Sequence, residues 1–246
     1  MEEFENRVVA WFSCGAASAV ASKLAVDTYG EKCVVVYCDT LSAEHPDNAR
    51  FLRDVERWLD RRIEIIRSTK YASIDDVFER ARFMSGPRGA RCTTEMKKIP
   101  REEFQRETDS HVFGFTSEEW RRAGEFDSRN PTLHTRWLLI EAGITKQDCL
   151  DRLSAAGIAL PAMYALGFDH NNCLGCVKST SAGYWNRVRR LFPETFERRA
   201  RVSREIGARL VRVDGRRVFL DELPPDSDAP DDEIECGPVC QLPLPL

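Results

Sequence analysis

No apolar run in the 246 residues approaches the roughly 20 that a helix needs to cross a bilayer, which excludes a membrane-spanning helix from the expectation. The start Met1-Glu2-Glu3 is acidic and lacks the basic-then-apolar order of a signal peptide, so a cytoplasmic chain with no membrane partner is expected. Net positive charge is missing too. Lysine and arginine number 36 against 40 aspartate and glutamate, a formal charge of -4. That bulk field repels a polyanion, so any nucleic-acid contact must come from a local patch. An even set of cysteines is also lacking. Nine, in a chain with no leader pattern, do not make a closed secreted disulfide framework and point to metal or redox chemistry. What remains, 42% hydrophobic and 31% charged, is ordinary for a globular chain long enough to bury one main core.

The stretch around which the rest is organised runs from Val8 to Ala21. Residues 8–12 are β-branched or bulky and uncharged, as in a strand buried on both faces. Residues 13–18 then lack bulk, and residues 19–26 propagate a helix. Amides at such a helix start are unpaired and carry about half a positive charge, so a phosphate oxygen is their natural partner. An ordinary strand-to-helix turn has the same local look.

Further along, strands are expected at 33–38, 63–66 and 111–115, and helices at 47–59 and 74–83. The βαβαβα order predicts a parallel twisted sheet with helices on both faces and right-handed crossovers. Asp39 follows the second strand, at the strand end where open α/β sheets take ligands, although a capping acid fits there equally. Residues 128–135 read as a loop, and residues 145–156 as a helix opened by a Thr145–Asp148 capping box. A helical region follows at 183–207, broken at Pro193 and rich in arginine: Arg187, Arg189, Arg190, Arg198, Arg199, Arg201 and Arg204. It reads as a solvated face or as a grip on a phosphate backbone. Asp214-Gly215 turns a hairpin, and from Pro224 the chain is Pro- and Asp-rich and expected to be mobile. The organisation expected is a nucleotide-binding domain over 1–180, an arginine-rich helical region with hairpin over 181–222, and an acidic tail over 223–246.

The cysteines sort by context. Cys33 and Cys38 fall in a strand pattern and Cys149 in a helical one, so they read as inert thiols. Cys92 lies in a turn-rich basic segment, residues 86–100, with four cations close by, a setting that lowers a thiol pKa and suits anionic groups. Cys173-Leu174-Gly175-Cys176 brings two sulfurs within reach of one metal, and Gly175 permits the tight turn. A redox dithiol and two incidental thiols remain the other readings of that spacing.

Four of these stretches, in chain order, resemble the PAPS reductase-like (sulfonucleotide reductase) branch of the PP-loop, or N-type ATP pyrophosphatase, superfamily. Ser13, Gly15 and Ser18 fall in register with the PP-loop, while Cys14 stands at a glycine of that pattern and Ala17 at its aspartate. Cys92, Lys97 and Pro100 match the segment where a cysteine pair precedes a lysine and a proline, with Thr93 at the second cysteine. Gly114, Glu119 and Arg122 match the glycine, glutamate, arginine signature after a strand. The run from Ile158 to Cys176 matches the proline, tyrosine and glycine that lead into Cys-x-x-Cys. Glu235-Cys236-Gly237 resembles the family's terminal glutamate, cysteine, glycine segment, with Pro238 and Cys240 departing from it.

What the resemblance implies is a PP-loop fold holding an adenine nucleotide (APS, PAPS or ATP), with Mg²⁺ as a candidate companion, and a four-iron four-sulfur cluster beside it. Ser13, Gly15 and Ser18 would hold phosphate or sulfate, Asp39, Gly114, Glu119 and Arg122 would bind and orient the nucleotide, and Lys97 would stabilise developing charge. Cys236 would be the nucleophile, with Cys92, Cys173, Cys176 and Cys240 as cluster ligands. The activity implied is an oxidoreductase acting on a sulfonucleotide and restored by a thiol reductant protein. Two other functions fit the residues: an ATP pyrophosphatase-type sulfur transferase that docks DNA or tRNA on Arg187 to Arg204, and a non-catalytic nucleotide or redox sensing module.

Overall fold

The computed structural model describes residues 6–86 and 89–230. Cys236 and Cys240 lie outside the described residues. Nine strands lie among those described: β1 Val8–Phe12, β2 Cys33–Cys38, β3 Ile63–Ile66, β4 Ser85–Gly86, β5 Gly89–Ala90, β6 Ser110–Val112, β7 His134–Arg136, β8 Val211–Val213 and β9 Arg216–Val218. Five form one parallel sheet in the order β3-β2-β1-β6-β7, flanked by helices, so the protein is α/β. β1 is buried at every residue and β2 at all but one, which is why both read as continuous apolar runs. β4 with β5 and β8 with β9 make two antiparallel ribbons. The second turns through Asp214 and Gly215, both at positive φ, as a tight hairpin requires.

β1, β2 and β3 match their expected spans to the residue. Two expectations are corrected. The strand expected at 111–115 keeps ladder pairing only as β6, because Phe113 to Phe115 leave the ladder where Gly114 packs against the backbone of Ser18. The expected loop at 128–135 ends in β7, the edge strand paired to β6. Its residues are polar and largely exposed, so only pairing with a neighbour, not periodicity, makes it a strand.

The chain divides into two compact units. The first comprises residues 6–39, 46–67 and 100–162 and contains the five-stranded sheet. Its core includes Trp11, Phe12, Phe51, Val55, Phe113, Phe126, Leu139 and Leu153. The helix Ala16–Tyr29, rich in small residues, packs along β1 and stops at Gly30 with φ 54°. The helix Lys146–Ala155 opens on the expected capping box, with both Thr145–Asp148 hydrogen bonds made.

The second unit comprises 40–45, 68–99 and 163–230 of the described residues. Its core gathers Phe78, Met84, Met163, Tyr184, Trp185 and Phe196 around the buried Cys92, Cys173 and Cys176. The arginine-rich region forms two helices, Ala182–Leu191 and Pro193–Ile206, broken where proline starts the second. Carbonyls of Pro224 and Ser227 accept from Asn186 Nδ2, and that of Ala229 from Ser181 Oγ, so this part of the acidic tail is bonded to the first of those helices. No helix among the described residues is long and apolar enough to cross a membrane.

Candidate functional site

In the first unit, Ser13, Gly15 and Ser18 lie at the carboxyl end of β1, in the middle of the sheet. From β1 the chain builds outward to β3 and then returns to place β6 on β1's other side, so the strand order reverses there. Open α/β sheets take ligands at that switch point. Ser18 Oγ accepts from the Ser13 amide at 3.0 Å and from Ser13 Oγ at 3.1 Å, and donates to the Gly15 carbonyl at 2.9 Å. The Ser18 hydroxyl therefore shapes the loop. The first turn of Ala16–Tyr29 has no acidic residue, and its N-cap Gly15 supplies no side-chain bond. Its leading amides keep their positive field for an anion. Ala17 accordingly places no carboxylate there.

Gly114 completes the cradle from β6. A Cβ on it would stand 2.6 Å from both the N and the Cα of Ser18, so only glycine lets the strand end approach the helix start this closely. A Cβ on Gly15 would meet nothing nearer than Ser13 Oγ at 3.8 Å. That side of the loop is open to a ligand.

Two further groups lie on the same edge of the sheet. Asp39 follows β2 and pairs with Arg67 at 2.8 Å. Glu119 caps the turn after β6, accepting from the Thr116 amide at 2.9 Å, and its other oxygen takes Arg122 at 2.5 Å. Arg122 also lies over the Phe115 ring, 4.1 Å from its centroid. Its guanidinium is thus held in one place, half-buried, as an orienting cation must be.

In the second unit, Cys92, Cys173 and Cys176 line one pocket with Ile74, Phe78, Val177, Lys178 and Arg199. The three thiols are 7–8% exposed. The Cys173–Cys176 turn is fixed on every side: the Leu174 amide donates to the Ala43 carbonyl at 2.8 Å, and the Cys176 amide to Tyr184 Oη at 2.7 Å. Gly175 has φ 62°, and a Cβ there would press on Thr195, Arg199 and Trp185. Burial, with the nearby Cys176 and Cys173, holds the Tyr184 hydroxyl well above its ordinary pKa. Tyr184 thus stays a neutral phenol that accepts the Cys176 amide and has its own proton to donate. Lys97 sits on the π-helical turn Thr94–Lys98 that follows Cys92 and is 7% exposed. Single π-turns inside helices often mark functional positions.

The thiol pocket can be tested for an iron–sulfur cluster on its own residues. Its donors are all sulfur, the rest of its wall is mainly apolar, and its two charged side chains are both cationic. That chemistry fits a thiolate-bound cluster. No three His, Cys, Asp or Glu side chains among the described residues are grouped to hold a single metal ion. The cavity is small, about 10 Å³, room for about one water. The other buried thiols are of a different kind. Burial pushes Cys33 up to about 11 and Cys149 up to about 12, so neither is a thiolate at neutral pH.

No family model matches the chain, and no curated protein matches it. Arg199 and Lys178 line the thiol pocket and Tyr184 bonds the Cys176 amide beside it, and none of the three was singled out for this by sequence reasoning. One signal was present for Arg199: it shares the Phe196, Ala200 and Ser203 face of its helix, an arginine on a buried stripe. The other arginines of that region are largely committed. Arg204 pairs with Asp221 and Glu222, Arg189 donates to the Leu220 and Leu223 carbonyls, and Arg187 lies over Phe168.

Proposed function

We propose that the protein is a PAPS reductase-like member of the PP-loop superfamily that binds an adenine nucleotide and performs sulfur chemistry on it, as a sulfonucleotide reductase does. The observation that carries this reading is the cradle at β1: an acid-free helix start, opened by Gly15 and closed on by Gly114, at the switch point of a parallel sheet. In this reading the amides of the loop and first turn hold phosphate or sulfate, and Arg122 and Asp39 orient the nucleotide. Cys236 is the proposed nucleophile: its thiolate bonds to the substrate sulfur as the sulfur–oxygen bond to the nucleotide phosphate breaks. A thiol reductant then takes over that cysteine sulfur as a disulfide and sulfite leaves. Cys92, Cys173 and Cys176 would hold an iron–sulfur cluster, whose thiolate ligation and surroundings would set its reduction potential.

The experiment is direct. Anaerobically purified protein, given APS or PAPS with a thiol reductant, is expected to release sulfite and the matching adenosine phosphate. No sulfite from either compound ends this reading.

A further inference from the structure

Within the first unit, Arg122 and the ring beneath it are backed by a residue from the edge of the sheet. The Phe115 ring, whose centroid is 4.1 Å from the Arg122 guanidinium, stacks with the Trp137 indole at 5.0 Å between centroids and 14° between planes. Trp137 directly follows β7, whereas Phe115 lies beyond the last ladder pair of β6, so the stack holds a ring that sheet pairing does not reach. The indole is itself pinned. Its Nε1 donates to Asp127 at 2.8 Å, and its ring meets Phe126 edge-on and Phe113 at a tilt, each at 5.8 Å. The other oxygen of Asp127 accepts from Thr135 Oγ1, in β7, at 2.6 Å. One carboxylate thus ties both the strand and the indole to the helix Trp120–Arg129, which also carries Arg122. A guanidinium is planar and stacks on aromatic faces, so the Phe115 ring sets its plane while Glu119, at 2.5 Å, sets its edge.

We infer that Trp137 is a positioning residue of the nucleotide site: through the Phe115 ring it fixes the plane of the Arg122 guanidinium, so that this cation meets an anionic group of the bound adenine nucleotide already oriented. A side chain ordered before the ligand arrives costs less to order on binding. The inference rests on the nucleotide reading proposed above and adds to it a residue that the resemblance does not supply.

The test uses the full chain and calorimetry with APS and with PAPS, read on whichever binds the wild type more tightly. Trp137→Leu is expected to weaken binding about 10-fold, the upper scale of losing one aromatic pair, and Trp137→Phe, which keeps a ring against Phe115, to stay within about 3-fold of wild type. Arg122→Gln weakens binding by itself, and adding Trp137→Leu to it should cost less than about 2-fold more, because the indole then has no cation to orient. A tryptophan that only supports the fold would weaken binding equally in both backgrounds. Equal losses therefore overturn the inference, as does unchanged affinity in Trp137→Leu or in Arg122→Gln, or a Trp137→Phe variant that falls as far as Trp137→Leu. Should Trp137→Leu not fold, the same cycle run with Asp127→Ala, which releases the indole Nε1, is judged the same way. Wild-type protein that binds neither compound overturns the nucleotide reading and this inference together, a result distinct from a wild type that binds while the two losses simply add.

Discussion

Gly15 and Gly114 serve the cradle for opposite reasons, and each reason predicts a different loss. Gly15 has an ordinary φ of -99° and free space around its missing side chain. Gly15→Val is therefore expected to leave the melting temperature nearly unchanged and to abolish adenine-nucleotide binding in calorimetry, because the new methyls occupy the anion's place. Full affinity in that variant would reduce the loop to a turn. Gly114→Ala sets a methyl against the backbone of Ser18, which cannot swing aside. A cost of about 1–3 kcal/mol is expected, read in urea unfolding. Cys14 has φ 58° at a glycine position of the PP-loop pattern, so a feature legible in the sequence as a departure is seen in the structure as a left-handed residue. His111 adds a pH dependence. Trp11 Nε1 donates to its Nδ1 at 3.1 Å, which requires that nitrogen to be unprotonated. Burial, with Arg101, His134 and Arg7 outweighing Asp109, lowers its pKa to about 4. The unfolded chain takes this proton near pH 6.5 and the fold refuses it until near 4, so the unfolded state binds more protons in that window. Stability is thus expected to fall as pH drops through it, by about 3 kcal/mol in all. His111→Gln keeps an acceptor for Trp11 and should flatten that fall in denaturation measured across the window; an unaltered slope would assign it to other groups.

Among the elements, those buried by their own sequence were the legible ones. β1 and β2 are buried apolar runs, and β3 is legible from its isoleucines although only Ile63 is buried, while β7 is three polar residues whose strand character comes from β6. The helix Trp120–Arg129 is faint in the sequence for a related reason: only Ala123 and Phe126 are buried in it, too few to show a period. The candidate site divides in the same way. Cys173 and Cys176 announce themselves by spacing, whereas Arg199 is hidden among six other arginines, and only the packing of its helix distinguishes it. The thiol turn yields a prediction of its own. Cys173→Ser, Cys176→Ser and Cys92→Ser should each lose most of the iron, while Cys149→Ser, whose thiol burial keeps protonated, should lose none. Cys236→Ser should keep the iron and lose turnover. Iron assay of the anaerobically purified variants checks all five, and full iron in every one would leave Cys173 and Cys176 as a redox dithiol.

At the scale of the whole molecule the question is whether a polyanion is a partner. The formal charge of -4 gives no long-range attraction, so a nucleic acid would have to be gripped by the Arg187 to Arg204 region alone. Most of those guanidiniums are engaged in holding the second unit together: Arg198 and Arg199 on Asp75, Arg204 on Asp221 and Glu222, Arg189 on backbone carbonyls. Arg190 and Arg201 are exposed. An arginine that leaves an internal partner to meet a phosphate gains little, since one charge-assisted bond replaces another. Binding of DNA or tRNA, measured as log affinity against log salt, should therefore have a slope no steeper than about -2, the release expected when two cations meet phosphates. Arg190→Gln with Arg201→Gln should flatten even that. The ATP pyrophosphatase reading predicts the reverse: six or more phosphates neutralised, a slope of about -5 or steeper, and pyrophosphate released from ATP only when DNA or tRNA is added. A shallow slope together with sulfite release would leave the arginine-rich helices as scaffold for the thiol pocket, and a steep one with pyrophosphate release would replace reduction by sulfur transfer to nucleic acid.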